Sequence, residues 1–141
     1  LRELRSQDAW ADSWRQQQDV LAAIDTAMGG RVPADAAIVS FNHTTYIEPA
    51  DVLVFANSWD LRGAVWETFD RPEAAAHPWE AGAVCAPRGV VFPDGSGDAS
   101  GAEPYGYGRL FFVDVPTRRA MRIRDRAQCE TAVARLTEAA A

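Results

Sequence analysis

The residues with the widest chemical scope lie between Ser40 and Asp70. His43 stands in Ser40-Phe41-Asn42-His43-Thr44-Thr45-Tyr46, directly after an apolar stretch, and Glu48, Asp51 or Asp60 could orient its ring. An imidazole steered by a carboxylate is a general base near neutral pH, so hydrolysis with His43 and Asp60 or Glu48 is one chemistry open to this segment. Ser40 could serve as a nucleophile, but no Gly-x-Ser-x-Gly elbow surrounds it. Two of the carboxylates Glu48, Asp51, Asp60, Glu67 and Asp70, suitably spaced, could run glycoside hydrolysis. In Ser58-Trp59-Asp60-Leu61 a flat apolar ring neighbours an acceptor, the makings of a sugar-binding shelf with His43 and Tyr46 as further contacts. Each feature also has a plainer reading: a hydrogen-bonded loop histidine, solvated carboxylates, a core tryptophan next to a helix cap.

Arginines form the second constellation. Arg118, Arg122, Arg124 and Arg126 occupy even positions, so a strand would hold them on one face and turn Met121 and Ile123 to the core. Such guanidinium groups, Arg122 and Arg124 above all, could hold a phosphate or carboxylate, or could pair with the chain's own acids such as Asp114. The run Gly95-Ser96-Gly97-Asp98-Ala99-Ser100-Gly101 has no lysine and has acids nearby, so it reads as linker and not as a phosphate cradle.

Cys85 and Cys129 lack CxxC spacing, the histidines are His43 and His77 alone, and no HExxH occurs, so no metal site is expected. The thiols are either both free and buried or joined in one bridge, with the bridge preferred. It would close a loop of more than 40 residues and contribute roughly 3–4.5 kcal/mol in the chain-entropy account. A bridge in turn implies an oxidising compartment.

These groups must be positioned by a chain of 141 residues, enough for one domain. Apolar residues at 48% and charged residues at 24% predict a packed fold. The net charge of −6 argues against nucleic acid as a partner. All 14 basic residues are arginine, which removes Walker-type, Schiff-base and lysine general-base chemistry; no cofactor is expected. That lysine-free, alanine-rich composition goes with a bacterial origin. The chain starts at Leu1 with no signal peptide, so a fragment or processed product is expected.

Trp10, Trp14, Gln17, Leu21, Ile24 and Met28 recur at helical spacing, predicting a helix over about 3–28 that Gly29-Gly30 ends. Two buried tryptophans would lay it across a sheet; exposed, the same stripe would dock on a partner or a second copy. Ala37 to Phe41 and Asp51 to Ala56 read as strands, Asn42 to Pro49 as loop. Leu61 to Phe69 fits helix, with Asp60 as cap, or strand. Asp70 to Pro78 reads as loop or one helical turn. Short strands are expected around Val84 and at Val90 to Phe92, and a long loop over 93–108, where five glycines and two prolines fall in sixteen residues. Leu110 to Val115 and Ala120 to Arg124 read as a hairpin. Asp125 and Gln128 form a capping box opening a helix over about 126–138, with Cys129, Val133 and Leu136 on one face. The order predicts a single two-layer α+β domain over 1–141, its two long helices packed on a mostly antiparallel sheet spanning about 32–124.

Four stretches taken together carry a resemblance. They are the opening amphipathic helix, Ala37-Ile38-Val39-Ser40-Phe41-Asn42-His43, the Val54-Phe55-Ala56 strand running into Trp59-Asp60-Leu61-Arg62-Gly63-Ala64, and Tyr107-Gly108-Arg109-Leu110-Phe111-Phe112-Val113-Asp114-Val115 with its closing cysteine. Over about residues 10 to 130 the chain resembles the extracytoplasmic domain that follows the last membrane span of polytopic, glycosyltransferase-like bacterial membrane proteins. The resemblance implies a location outside the cytoplasm, beside a membrane-embedded portion of the same or a partner protein. Sugar transfer would belong to that portion, so no catalytic residue carries over. The chain departs from such proteins in holding no membrane span. The expectation is a non-catalytic binding or accessory domain contacting a glycan or an anionic lipid-linked sugar. The alternatives are the small hydrolase above and a structural domain that dimerises through its first helix.

Overall fold

Ala37 to Phe41 is a short run with no charged residue, and it forms the strand β1 (Ala37–Phe41), buried at every position. A strand buried on both faces needs covering layers above and below, and the rest of the chain supplies them. The computed structural model describes residues 2–41, 46–47, 52–53, 58–93 and 104–138. In chain order, α1 (Arg2–Ala27) precedes β1, followed by β2 (Tyr46–Ile47), β3 (Val52–Leu53), α2 (Ser58–Phe69) and β4 (Ala75–Pro78). Then come β5 (Val84–Cys85), β6 (Gly89–Val91), β7 (Tyr105–Gly106), β8 (Leu110–Asp114), β9 (Arg119–Ile123) and α3 (Arg126–Glu138). The class is α+β, as the sequence predicts.

The main sheet has the order β4-β1-β8-β9. Four of the six strand pairings among the described residues are antiparallel, but both pairings of β1, with β4 and with β8, are parallel. Parallel neighbours require crossover connections. The crossover from β1 to β4 carries α2, and the one from β4 to β8 carries the small sheet β5-β6-β7.

Side chains alternate accordingly. Ile38, Ala74, Ala76, Val113 and Val115 face one core with Val20, Leu21, Ala23 and Ile24 of α1 and Leu61 and Val65 of α2. Ala37, Val39, Phe41, Leu110, Phe112 and Ile123 face the other, with Val90, Phe92, Tyr105 and Cys129, Ala132 and Leu136 of α3. The helices expected on the sheet therefore divide between its two faces, giving one layer more than the two-layer expectation.

Gly29 and Gly30 end α1 in left-handed conformation (φ 68° and 77°). Gly30 N–H donates to the Asp25 carbonyl at 2.8 Å and Gly29 N–H to Thr26 at 3.1 Å, the paired bonds of a Schellman close. The predicted stripe holds only in its later part: Leu21 and Ile24 are buried and Gln17 half-buried, but Trp14 is 62% exposed. A helix of 26 residues is about 39 Å long, against about 17 Å for a five-residue strand. The helix outruns the sheet, so Trp14 has no core to enter.

Leu61 to Phe69 resolves as helix, with Leu61 and Val65 buried one turn apart and Trp66 exposed. It begins at Ser58, so Asp60 lies inside the first turn and is not its cap. Ala75 to Pro78 forms a strand and not the expected loop. Its alanines carry little β signal, yet their small size lets α2 close over Ala74 and Ala76. Ala75 N–H donates to the Ala36 carbonyl (2.9 Å) and Trp79 N–H to Ser40 (2.8 Å). Alternate residues thus bond to β1, and the Pro78 nitrogen points away from it, so the missing donor costs no bond of that ladder. Within the predicted loop over 93–108, Tyr105–Gly106 instead pairs with β6. Tyr46–Ile47 pairs with Val52–Leu53 inside what reads as loop followed by strand.

The capping box forms with its reciprocal bond shifted by one residue. Gln128 N–H donates to Asp125 Oδ1, and Arg124 N–H donates to Gln128 Oε1, both at 2.7 Å. The helix it opens is tied to β5 by the Cys85–Cys129 disulfide, Cα atoms 6.0 Å apart. The sequence separation of 44 corresponds to roughly 4 kcal/mol of stability in the chain-entropy account. Urea denaturation of the Cys85→Ser/Cys129→Ser double variant should show a loss of that order. In a second test, Gly89→Ala should lower stability by about 1–3 kcal/mol in thermal melts. Its Cβ would sit 2.7 Å from the Tyr105 carbonyl carbon and 2.9 Å from Gly106 Cα, contacts made with backbone that cannot swing aside.

Candidate functional site

The expected catalytic segment divides between described and undescribed residues. His43, Glu48 and Asp51 lie outside the described residues, as do Asn42 and Thr44. Tyr46 sits in β2 opposite Leu53, in a two-stranded hairpin running beside α1. Trp59 and Asp60 belong to the first turn of α2. Glu67 on α2 and Asp70 just beyond it are exposed. Ser40 is fully buried in β1, between Pro78 and Val113 in register. No substrate reaches it, so the nucleophile reading fails.

The arginines do not share one face. Arg118 precedes β9, in a left-handed turn conformation (φ 56°), and its guanidinium pairs with Asp19 of α1. Arg122 lies in β9 on the α1 side of the sheet; its guanidinium donates to the Gly108 carbonyl and sits 6.0 Å from the centre of the Phe111 ring. Arg124 is exposed beyond the strand end. Arg126 opens α3 and bonds Glu130 one turn on, at 3.1 Å. The even-position rule fails because the strand covers only Arg119–Ile123. Arg118 therefore belongs to a turn and Arg126 to a helix.

The same register brings forward Arg119, which the sequence assigns to the turn. It pairs across the strands with Asp114 and lies on the face opposite Arg122. There the β8–β9 hairpin and the last turn of α3 enclose a groove of about 360 Å³. Its floor is apolar, from Phe112, Met121 and Leu136, and its rim carries Arg119, Arg135, Asp114 and Thr117. The Thr117 hydroxyl donates to Asp114 Oδ2 at 2.7 Å, fixing that carboxylate at the hairpin turn. Arg135 in the last turn of α3 offsets the partial negative charge of the helix C-terminus. Among the described residues Arg119 has no ion pair, so positive charge collects here on an otherwise acidic chain.

Behind the groove, the face of the sheet is lined with rings. Phe41 stacks on Trp79 (centroids 5.3 Å apart) and tilts against Phe112 (5.0 Å). His77, fully buried, stacks on Phe92 at 3.7 Å and donates through Nδ1 to the Pro78 carbonyl at 2.5 Å. It is a core histidine, held in place by rings. No metal-holding group of three His, Cys, Asp or Glu residues occurs among the described residues.

No family model, curated protein or solved structure matches this chain. The groove therefore stands on its own geometry. Arg119 and Arg135 could have been found from sequence only with the hairpin register and the helix-to-sheet packing in hand.

The turn that leads into β8 is tied back by Tyr107, whose hydroxyl donates to the Ala86 carbonyl at 2.6 Å. Burial pushes the Tyr107 phenol above its ordinary value; Arg126 pulls it down, while Glu130 and Asp125 push it further up. The fold thus favours the neutral phenol. Its contribution is complete below the unfolded value near 10 and is lost as pH rises through the raised folded value. Tyr107→Phe should cost about 1 kcal/mol at neutral pH. That gap from the wild-type chain should shrink towards zero in urea titrations well above pH 10.

Proposed function

We propose that the chain is a non-catalytic binding or accessory domain working outside the cytoplasm, as part of or beside a bacterial membrane protein. The observation that carries this reading is the Cys85–Cys129 disulfide. Reducing compartments keep thiols free, and structural bridges accumulate in secreted and surface proteins. The bridge here ties α3 to the small sheet across the core, which is a structural position and not that of an exposed redox pair: Cys129 is fully buried and Cys85 nearly so.

No helix among the described residues is long and apolar enough to cross a membrane. In this reading the membrane-embedded portion belongs to the same or a partner protein, and the ligand is a glycan or an anionic lipid-linked sugar. A binding role draws support from the groove beside α3, whose two arginines suit holding an anion.

The test is thiol trapping in intact cells that make the full-length protein. Cells are quenched with a membrane-permeant alkylating agent, and the peptides carrying Cys85 and Cys129 are then weighed. The expected result is no adduct before reduction and one on each cysteine after it. Alkylation of both cysteines without reduction would place the chain in a reducing compartment and overturn the reading.

A further inference from the structure

We infer that the groove between the β8–β9 hairpin and the end of α3 is a binding site for a small amphiphilic phosphate monoester. Arg119 and Arg135 would hold its phosphate, and Phe112, Met121 and Leu136 its apolar body. This gives the binding role proposed above a location, yet it is read from the purified chain and does not depend on the compartment.

Three features argue for this occupant. The first is charge. Two guanidinium groups from different elements, β9 and α3, line one groove with a single carboxylate, Asp114, on a chain whose net charge is −6. The local sign is opposite to that of the whole molecule, so the groove draws an anion that the rest of the surface repels.

The second feature is stoichiometry. A carboxylate carries one charge and saturates one arginine fork, whereas a phosphate monoester carries −1.5 to −2 near pH 7 and offers three acceptor oxygens. Two forks lining one groove from two elements match the second ligand better. Asp114 offsets only one of the two positive charges, and its Oδ2 already accepts from Thr117 at the hairpin turn. Its other oxygen is an acceptor for a hydroxyl carried by the organic part of the ester.

The third is the floor. Phe112 and Leu136 are buried and Met121 is half-buried, so they form an apolar base below a charged rim. The cavity of about 360 Å³ lies within the size range of small-molecule sites. Inorganic phosphate would leave that floor wet; an alkyl or prenyl phosphate would cover it. Arg122, one residue beyond Met121, points to the opposite face and is engaged with Gly108 and Phe111, so it takes no part.

The experiment titrates the oxidised 141-residue chain with hexyl phosphate, inorganic phosphate, hexanoate and hexanol, followed by calorimetry and by amide chemical shifts. Hexyl phosphate is expected to saturate in the sub-millimolar to low-millimolar range, with shifts centred on residues 112–121 and 135–136. Arg119→Gln and Arg135→Gln should each weaken it by about tenfold or more, since each removes a charge-assisted pair. Both positions are exposed, and unchanged thermal melts of the two variants confirm that the fold is intact. Arg122→Gln, with the same change of net charge, should leave the affinity unchanged. Inorganic phosphate and hexanol should each bind at least about tenfold more weakly than hexyl phosphate, because each engages only half of the site. The inference is overturned by any of three results: no saturation at millimolar hexyl phosphate, equal weakening by Arg122→Gln, or hexanoate binding as tightly as hexyl phosphate. None of these bears on the thiol-trapping result, so the site and the compartment fail separately.

Discussion

The whole arrangement depends on β1 being buried on both faces and paired in parallel on both sides. A strand in that position can be neither solvated nor joined to its neighbours by tight turns. Each parallel neighbour must be reached by a crossover, and each crossover must bring enough apolar surface to cover one face of the sheet. The first brings α2, which joins α1 over Ile38 and Val113; the second brings the small sheet, which joins α3 over Val39 and Phe112. The disulfide lies in the second layer, whose strands are two or three residues long and supply few hydrogen bonds of their own.

That division explains what the sequence could reveal. Local chemistry was legible: the glycine pair ending α1, the Asp125–Gln128 cap, the Leu110–Asp114 strand with its hairpin partner, and the α+β class all follow from residue type and spacing. The cysteine pairing was legible as the preferred of two options because only one bridge is possible. Non-local structure was not. The alanines of β4 have no β-branched signature, and their strand exists because β1 needs an edge partner and α2 needs small residues beneath it. Gly89 pairs with Gly106, and Val90 with Tyr105, because two backbones approach closely, which no periodicity announces. Trp14 lies outside the core because spacing shows which residues share a helix face and not how far the opposite surface extends.

The candidate site follows the same rule. Reading the arginines by parity required the strand to run on through Arg126, and a difference of a few residues at each end sent them to a turn, a strand, a loop and a helix. The groove instead joins residues from β8, β9 and α3, with sequence gaps that only the packing of α3 against the sheet closes. Arg119 and Arg135 are ordinary surface arginines until that packing sets them over one apolar floor.

The two borders of the main sheet, β4 and β9, differ in how they are protected. An open border of a sheet is a template on which a second molecule can add a strand and start a fibre. The β4 border is closed: all four of its residues are buried, and Pro78 has no N–H on the side away from β1. At the β9 border the exposed Arg119, Arg122 and Arg124 surround the free backbone with like charges that a second copy would have to bring together. One border is thus protected by cover and the other by charge, two separate obstacles to edge-to-edge pairing of copies.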